Sequence, residues 1–373
     1  MSPAFASARQ AAAFAALLVV LLLSPWWCGL SLLPARSEIY QTVRDEDGPY
    51  RFLHQQIFVE QDDLDLVFIG SSHIWSGVET RRVQAELGRH LGREARVVTL
   101  GWPWAGYDAL YFITRDLLEH RRVRMLVFYD DVSRDPDTGS ILDHAHRLAP
   151  RWCRWREDRA ALDGLPLRRK SQYYFASILG LPRQLYTRFA PRFRERAYLP
   201  GPDYWERKYR GPSLEETAGA LTASLGIDHD PKSYVRFEPT TGATAGDVVV
   251  YAPGTNRVFH FGGPATPPGS LHFARKFARL AHEHGVHLVM LNLPGVAEWQ
   301  STNVNERECW PDALGVDLDL VGIPPARLFS GLTEQQVRDL YYDPWHFNRN
   351  GQAYFTGLVY PRLLELYENT SRN

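Results

Sequence analysis

Short apolar runs, each closed by a turn residue, recur along the chain. Asp65-Leu66-Val67-Phe68-Ile69 runs into Gly70, and Arg96-Val97-Val98-Thr99-Leu100 runs into Gly101. Arg124-Met125-Leu126-Val127-Phe128-Tyr129 is a third run, and His287-Leu288-Val289-Met290-Leu291-Asn292-Leu293 ends at Pro294. Continuous apolar stretches of this length, bounded by turn residues, predict buried strands. Helical spacing lies between them. Residues 79–91 put Val83, Leu87 and Leu91 on one face, and residues 107–119 repeat the pattern. Leu271 to His284 is a basic amphipathic stretch closed by Gly285, and a last helix is expected over 351–368. Strand and helix in alternation predict parallel βαβ units, hence a doubly wound parallel α/β sheet.

The pattern also divides the chain. From Ala11 to Leu33 there is no charged residue, a length that spans a hydrocarbon core as a helix. Residues 1–35 are therefore expected to be an N-terminal membrane anchor, with Trp26 and Trp27 at the interface and Pro25 ending the helix proper. A cleaved signal peptide is the competing expectation, although no clean small-x-small site follows. Arg9 and Arg36 flank the stretch and give almost no orientation signal. A polar linker over 36–60 leads into a domain over 61–368, and 369–373 form a tail. Within that domain, 136–265 is rich in Arg, Tyr, Trp and Pro and reads as an insertion, partly helical around 168–195. It is expected to pack over one sheet edge, as a cap on the site or as a structural elaboration.

Composition narrows the function classes. The 373 residues carry a formal net charge of −1, so no field attracts nucleic acid or an anionic surface. Of the 3 cysteines, Cys28 lies in the apolar stretch, leaving Cys153 and Cys309 as either a pair or two unrelated thiols. No metal or cofactor is expected. His282, Glu283, His284 and His287 flank a helix C-terminus, where cationic groups are favoured anyway. Asp62-Asp63-Leu64-Asp65 lacks the Gly and Glu of a calcium loop and reads as a solvated strand entry. Two glycines at 101 and 106 do not make a dinucleotide fingerprint.

The chemistry concentrates at strand ends, where open α/β sheets carry their reactive groups. The first strand delivers Gly70-Ser71-Ser72-His73, and a serine on a strand-to-helix turn is exposed beside free N–H groups. The second delivers Gly101-Trp102-Pro103-Trp104-Ala105-Gly106, where glycine lets backbone N–H groups approach a substrate. Near the C-terminus, Asp343 and His346 in Asp343-Pro344-Trp345-His346 are close enough for a carboxylate to hold an imidazole in one tautomer. Such an imidazole activates a serine hydroxyl as base and then returns the proton.

In that order the chain resembles the SGNH (GDSL-like) hydrolase superfamily. Gly70-Ser71-Ser72-His73 is similar to its first block, Gly-Asp-Ser-Leu, with Ser72 in the nucleophile position, and Asp343 and His346 match its Asp-x-x-His. The resemblance covers about residues 60–135 and 270–368. It implies a flavodoxin-like three-layer sandwich, with the backbone N–H groups of Ser72 and Gly106 as oxyanion donors and Gly101 the alternative to Gly106. With an N-terminal anchor, the chain looks most like envelope members that modify surface polysaccharides, such as the alginate O-acetylation and teichoic acid D-alanylation proteins. The resemblance thus implies an esterase or O-acetyltransferase outside the cytoplasm, acting on acylated carbohydrate, with envelope assembly proteins as candidate partners. Candidate substrate-binding residues are His73, Trp102, Trp104, Asp130, Asp131 and Trp345; Trp102 and Trp104 serve equally well as core packing.

The third block departs from the family. Where Gly-x-Asn-Asp is usual, this chain has Tyr129-Asp130-Asp131-Val132-Ser133, and an ionised Asp cannot donate to an oxyanion. Loss of one such donor costs roughly 100- to 1000-fold elsewhere. The alternative expectation is therefore a catalytically silent SGNH-fold scaffold of a polysaccharide modification or export system. A thioesterase or lipase acting on membrane-derived chains is the third.

Overall fold

The structure, a computed structural model, describes residues 5–27, 35–41, 50–101, 106–129, 167, 243–251, 268–300 and 314–370. Strands β1 (Leu64–Gly70), β2 (Val97–Gly101), β3 (Val123–Tyr129), β5 (His287–Leu291) and β6 (Asp319–Gly322) form a parallel sheet. The short strand β4 (Val249–Tyr251) adds to the β6 edge in antiparallel sense, giving the order β2-β1-β3-β5-β6-β4. The parallel strands are buried on both faces, which is why they read as unbroken apolar runs rather than alternating ones.

The order decides where a ligand can bind. From β1 the chain moves one way to β2 and then back past β1 to β3. Right-handed crossovers then put the intervening helices on opposite faces. That reversal opens a crevice at the carboxyl ends of β1 and β3. One face is covered by α6 (Tyr107–His120) and α7 (Pro268–Glu283). Phe128 of β3 packs there between Tyr107 (ring centroids 6.3 Å) and Phe277 (5.0 Å). The other face is covered by α4 (Ser72–Gly77), α5 (Thr80–Leu91) and the C-terminal α10 (Arg349–Asn369). Two short helices, α8 (Pro325–Leu328) and α9 (Glu334–Arg338), lead from β6 to α10. Gly285, which closes α7, sits at φ 66° with open space around it, so conformation and not room requires the glycine.

At the N-terminus the helix is α1 (Ala8–Trp27). The expected membrane-spanning helix is not supported: among the described residues no helix is long and apolar enough to cross a membrane. The described residues of the 36–60 stretch pack into the body through α2 (Arg36–Tyr40), α3 (Tyr50–His54) and the turns that follow it, with Ile39, Tyr40, Tyr50, Leu53 and Ile57 fully buried. Arg36 and Tyr40 both bond the buried carboxylate of Asp116 on α6, at 2.9 Å from Nε and 2.8 Å from the phenol. Burial and the Asp116 charge together push the Tyr40 phenol well up from its ordinary pKa. Most of 136–265, including 168–195, lies outside the described residues, as do Cys28, Cys153 and Cys309; β4 comes from this stretch.

The carboxylates at the entry to β1 divide in a way the expected solvated entry did not anticipate. Asp62 and Asp63 are exposed, but Asp65 is buried. It accepts bonds from Arg93 (2.9 Å), the Arg96 N–H (2.8 Å) and the Tyr367 hydroxyl (2.6 Å), so it stitches β1 to the start of β2 and to α10. Burial raises its pKa, but the Arg93, Tyr367 and Arg96 bonds outweigh that and hold it below the usual value. A depressed carboxylate stabilises the fold above its unfolded pKa and stops doing so as pH falls through the folded one. Asp65→Asn is therefore expected to cost roughly 1.5–3 kcal/mol at pH 7. In urea titrations the gap from wild type should close as pH drops below about 3.9; a pH-independent gap would contradict the charge argument.

Candidate active site

The crevice at the ends of β1 and β3 is built first by α4. Gly70 ends β1 so tightly that a Cβ would lie 3.2 Å from Ile74 and 3.4 Å from Tyr129. Ser71 then caps α4, its hydroxyl accepting from the His73 N–H at 3.3 Å. Ser72 is thereby the first residue of the helix, where N–H groups lack an intrahelical acceptor.

The partner arrives from the far end of the chain. The loop between α9 and α10 closes on itself through a bridge between Tyr341 and Phe347, whose rings stack at 4.5 Å, and through a 2.8 Å bond from the Tyr342 N–H to the His346 carbonyl. The Tyr341 hydroxyl donates to the Pro294 carbonyl at 2.6 Å, fixing the loop to the segment after β5. Asn348 caps α10, accepting from the Asn350 and Gly351 N–H groups at 2.9 and 3.2 Å and donating to the Asp339 carbonyl at 2.7 Å.

Asp343 explains the three-residue spacing. One carboxylate oxygen accepts the N–H groups of Trp345 (2.7 Å) and His346 (2.9 Å), the local turn that Asp side chains favour. The other lies 2.7 Å from His346 Nδ1. Burial raises the Asp343 pKa, but the bond and charge of His346 and the two backbone N–H groups outweigh it, leaving the carboxylate below its ordinary range. An ionised carboxylate only accepts, so His346 Nδ1 carries the proton and Nε2 presents a lone pair. That nitrogen lies 2.9 Å from Ser72 Oγ, with both side chains buried. The three residues form a continuous relay in which the serine proton can pass to imidazole while the carboxylate stabilises the resulting cation.

Only some of the other sequence candidates lie among the described residues. Gly106 is the N-cap of α6 in extended conformation, its N–H at the mouth of that helix. Gly101 is accounted for by packing, because a Cβ there would collide with the Trp75 indole. His73 bonds through Nδ1 to the Tyr129 hydroxyl, and its ring lies 4.5 Å from that of His346. Trp345 is 41% exposed and seated over Gly295, where a Cβ would come within 2.8 Å of the indole. Trp102, Trp104, Asp130 and Asp131 lie outside the described residues. The basic cluster is dispersed: His284 bonds the Leu280 carbonyl at 2.9 Å, and His287 lies 2.9 Å from Asp319.

Sequence reasoning did not single out Tyr129, Asn348 or Gln352. Asn348 carried a signal, since Asn immediately before an apolar-periodic stretch marks a helix cap. Tyr129 carried none beyond closing an apolar run. No family model matches the chain, and no curated protein matches it either.

The relay makes a direct expectation. Asp343→Asn offers His346 an amide that can donate to Nδ1 and so reverse the tautomer, leaving Nε2 protonated and unable to accept from Ser72. Phosphonylation of Ser72 by a fluorophosphonate should then slow by roughly 10⁴-fold. Unchanged labelling would show that the carboxylate does not govern the imidazole.

Proposed function

We propose that this protein is an SGNH-type acyl-ester hydrolase or O-acyltransferase in which Ser72 is the nucleophile, His346 the base and then the acid, and Asp343 the group that orients it. The observation that carries the proposal is the relay itself, 2.9 Å from Ser72 Oγ to His346 Nε2 and 2.7 Å from Nδ1 to Asp343. The sheet order supports it, because β2-β1-β3-β5-β6 is the flavodoxin-like arrangement with its switch point at β1 and β3.

Attack by Oγ on an ester carbonyl forms the Oγ–C bond as the proton moves to Nε2. The N–H groups of Ser72 and Gly106 take the developing oxyanion. Collapse breaks the ester C–O bond, and the proton returns from Nε2 to the leaving alkoxide. Water or a sugar hydroxyl then gives its proton to Nε2 and attacks the acyl carbon; the C–Oγ bond breaks as Oγ takes that proton back from Nε2, so hydrolysis and transfer differ only in the acceptor. The exposed indole of Trp345 beside His346 supports a carbohydrate substrate, since a sugar ring offers an apolar face to an aromatic one. Phe14, Leu17, Leu18 and Val20 of α1 are exposed, which supports attachment to a membrane surface; a domain outside the cytoplasm follows from the resemblance alone.

A catalytically silent scaffold is favoured by one observation, the Tyr129-Asp130-Asp131 sequence where an amide donor is expected. Turnover separates the two. The protein should release phenolate from a short-chain aryl acetate, and Ser72→Ala should lower kcat by at least about 1000-fold. Equal turnover by Ser72→Ala would remove Ser72 from the mechanism, and no turnover by either would favour the scaffold.

A further inference from the structure

Ser72 stands on a helix of 6 residues, Ser72–Gly77, too short to hold its own position. What fixes its far end is a side chain from the other half of the site. Gln352 is buried in the first turn of α10, six residues after His346 and four after the Asn348 cap. Its Nε2 donates to two carbonyls at the end of α4, Trp75 at 2.7 Å and Val78 at 3.0 Å. A helix end leaves such carbonyls without partners, and here one amide group satisfies both.

The same face of α10 continues the attachment. One turn on, Thr356 Oγ1 accepts the Glu79 N–H at 2.9 Å, and the Ala353 carbonyl accepts from Arg82 at 3.1 Å. Residues 348, 352 and 356 therefore lie along one stripe at helical spacing. Asn348 closes the loop that carries His346, Gln352 holds the helix that carries Ser72, and Thr356 holds the turn into α5. The two reacting groups are 274 positions apart, yet their supports are four residues apart on one rigid helix.

We propose that Gln352 is a positioning residue that sets the register of Ser72 against His346, a role that rests on the acyl-transfer function proposed above. Loss of its two bonds frees the end of α4 to shift relative to the His346 loop. A misplacement of about 1 Å costs on the order of 100-fold in rate even when it originates away from the reacting atoms. Gln352→Met keeps the length and removes the donors. Thr356→Val removes the neighbouring bond, which does not reach α4, and serves as the comparison.

Both variants should be followed by thermal melting, by kcat and KM on an aryl acetate, and by the rate of Ser72 phosphonylation per folded molecule. Gln352→Met should lower kcat and the phosphonylation rate by roughly 10- to 100-fold with KM within about twofold of wild type. Thr356→Val should leave both rates within about twofold at a similar loss of melting temperature. Wild-type rates in folded Gln352→Met, or an equal loss in Thr356→Val, would overturn the positioning role while the acyl-transfer function stood. An unreactive wild type would overturn both.

Discussion

The hydrogen bond from Ser72 to His346 joins the start of the α/β domain to its end, and most of the local structure around it answers the problem of making it. A serine hydroxyl and an imidazole separated by so much chain meet only if the sheet register, a helix cap and a loop all agree. The parallel sheet brings the ends of β1 and β3 to one edge and opens the crevice there. The remaining requirement is angular. Ser71 turns the chain into α4, and Asp343 folds its own loop with one oxygen while holding the imidazole with the other.

Charge is handled in the same economical way. Asp343 is partly buried, which alone would favour its neutral form, yet three donors converge on it and keep it ionised. Asp65 follows the same logic at the amino end of β1; Asp116, buried beneath α2, accepts from Arg36 and Tyr40. Asp65 and Asp116 accept from side chains of other elements, so each joins segments that hydrophobic packing alone would leave free to slide, whereas the donors to Asp343 all come from its own loop.

Much of this was legible in the chain. β1, β2 and β5 announced themselves as apolar runs closed by Gly or Pro, β3 as an apolar run ending before Asp130, and α5, α6, α7 and α10 by helical spacing, because burial against a sheet imposes those periods. β6 escaped notice because Asp319-Leu320-Val321-Gly322 is too short to show a period, and β4 because its partner is remote. Ser72, Asp343 and His346 were visible as motifs, but their meeting was not, since it depends on tertiary register. Gln352 was illegible for a related reason: a buried Gln on a helix looks like any polar position until the carbonyls it serves are known. The N-terminal stretch, uncharged over Ala11–Leu33, predicted a spanning helix that the described residues do not support; the helix described there runs Ala8–Trp27, with Pro25 inside it and not at its end.

The central claim is that Ser72 attacks while His346 and two backbone N–H groups manage the proton and the oxyanion. A crystal structure of the protein after reaction with a fluorophosphonate tests it most directly. The account predicts a covalent bond from Ser72 Oγ to phosphorus, the phosphonyl oxygen about 2.7–3.1 Å from the N–H groups of Ser72 and Gly106, and His346 within bonding reach of the adduct. An adduct on another residue, or a phosphonyl oxygen turned away from both N–H groups, would contradict it.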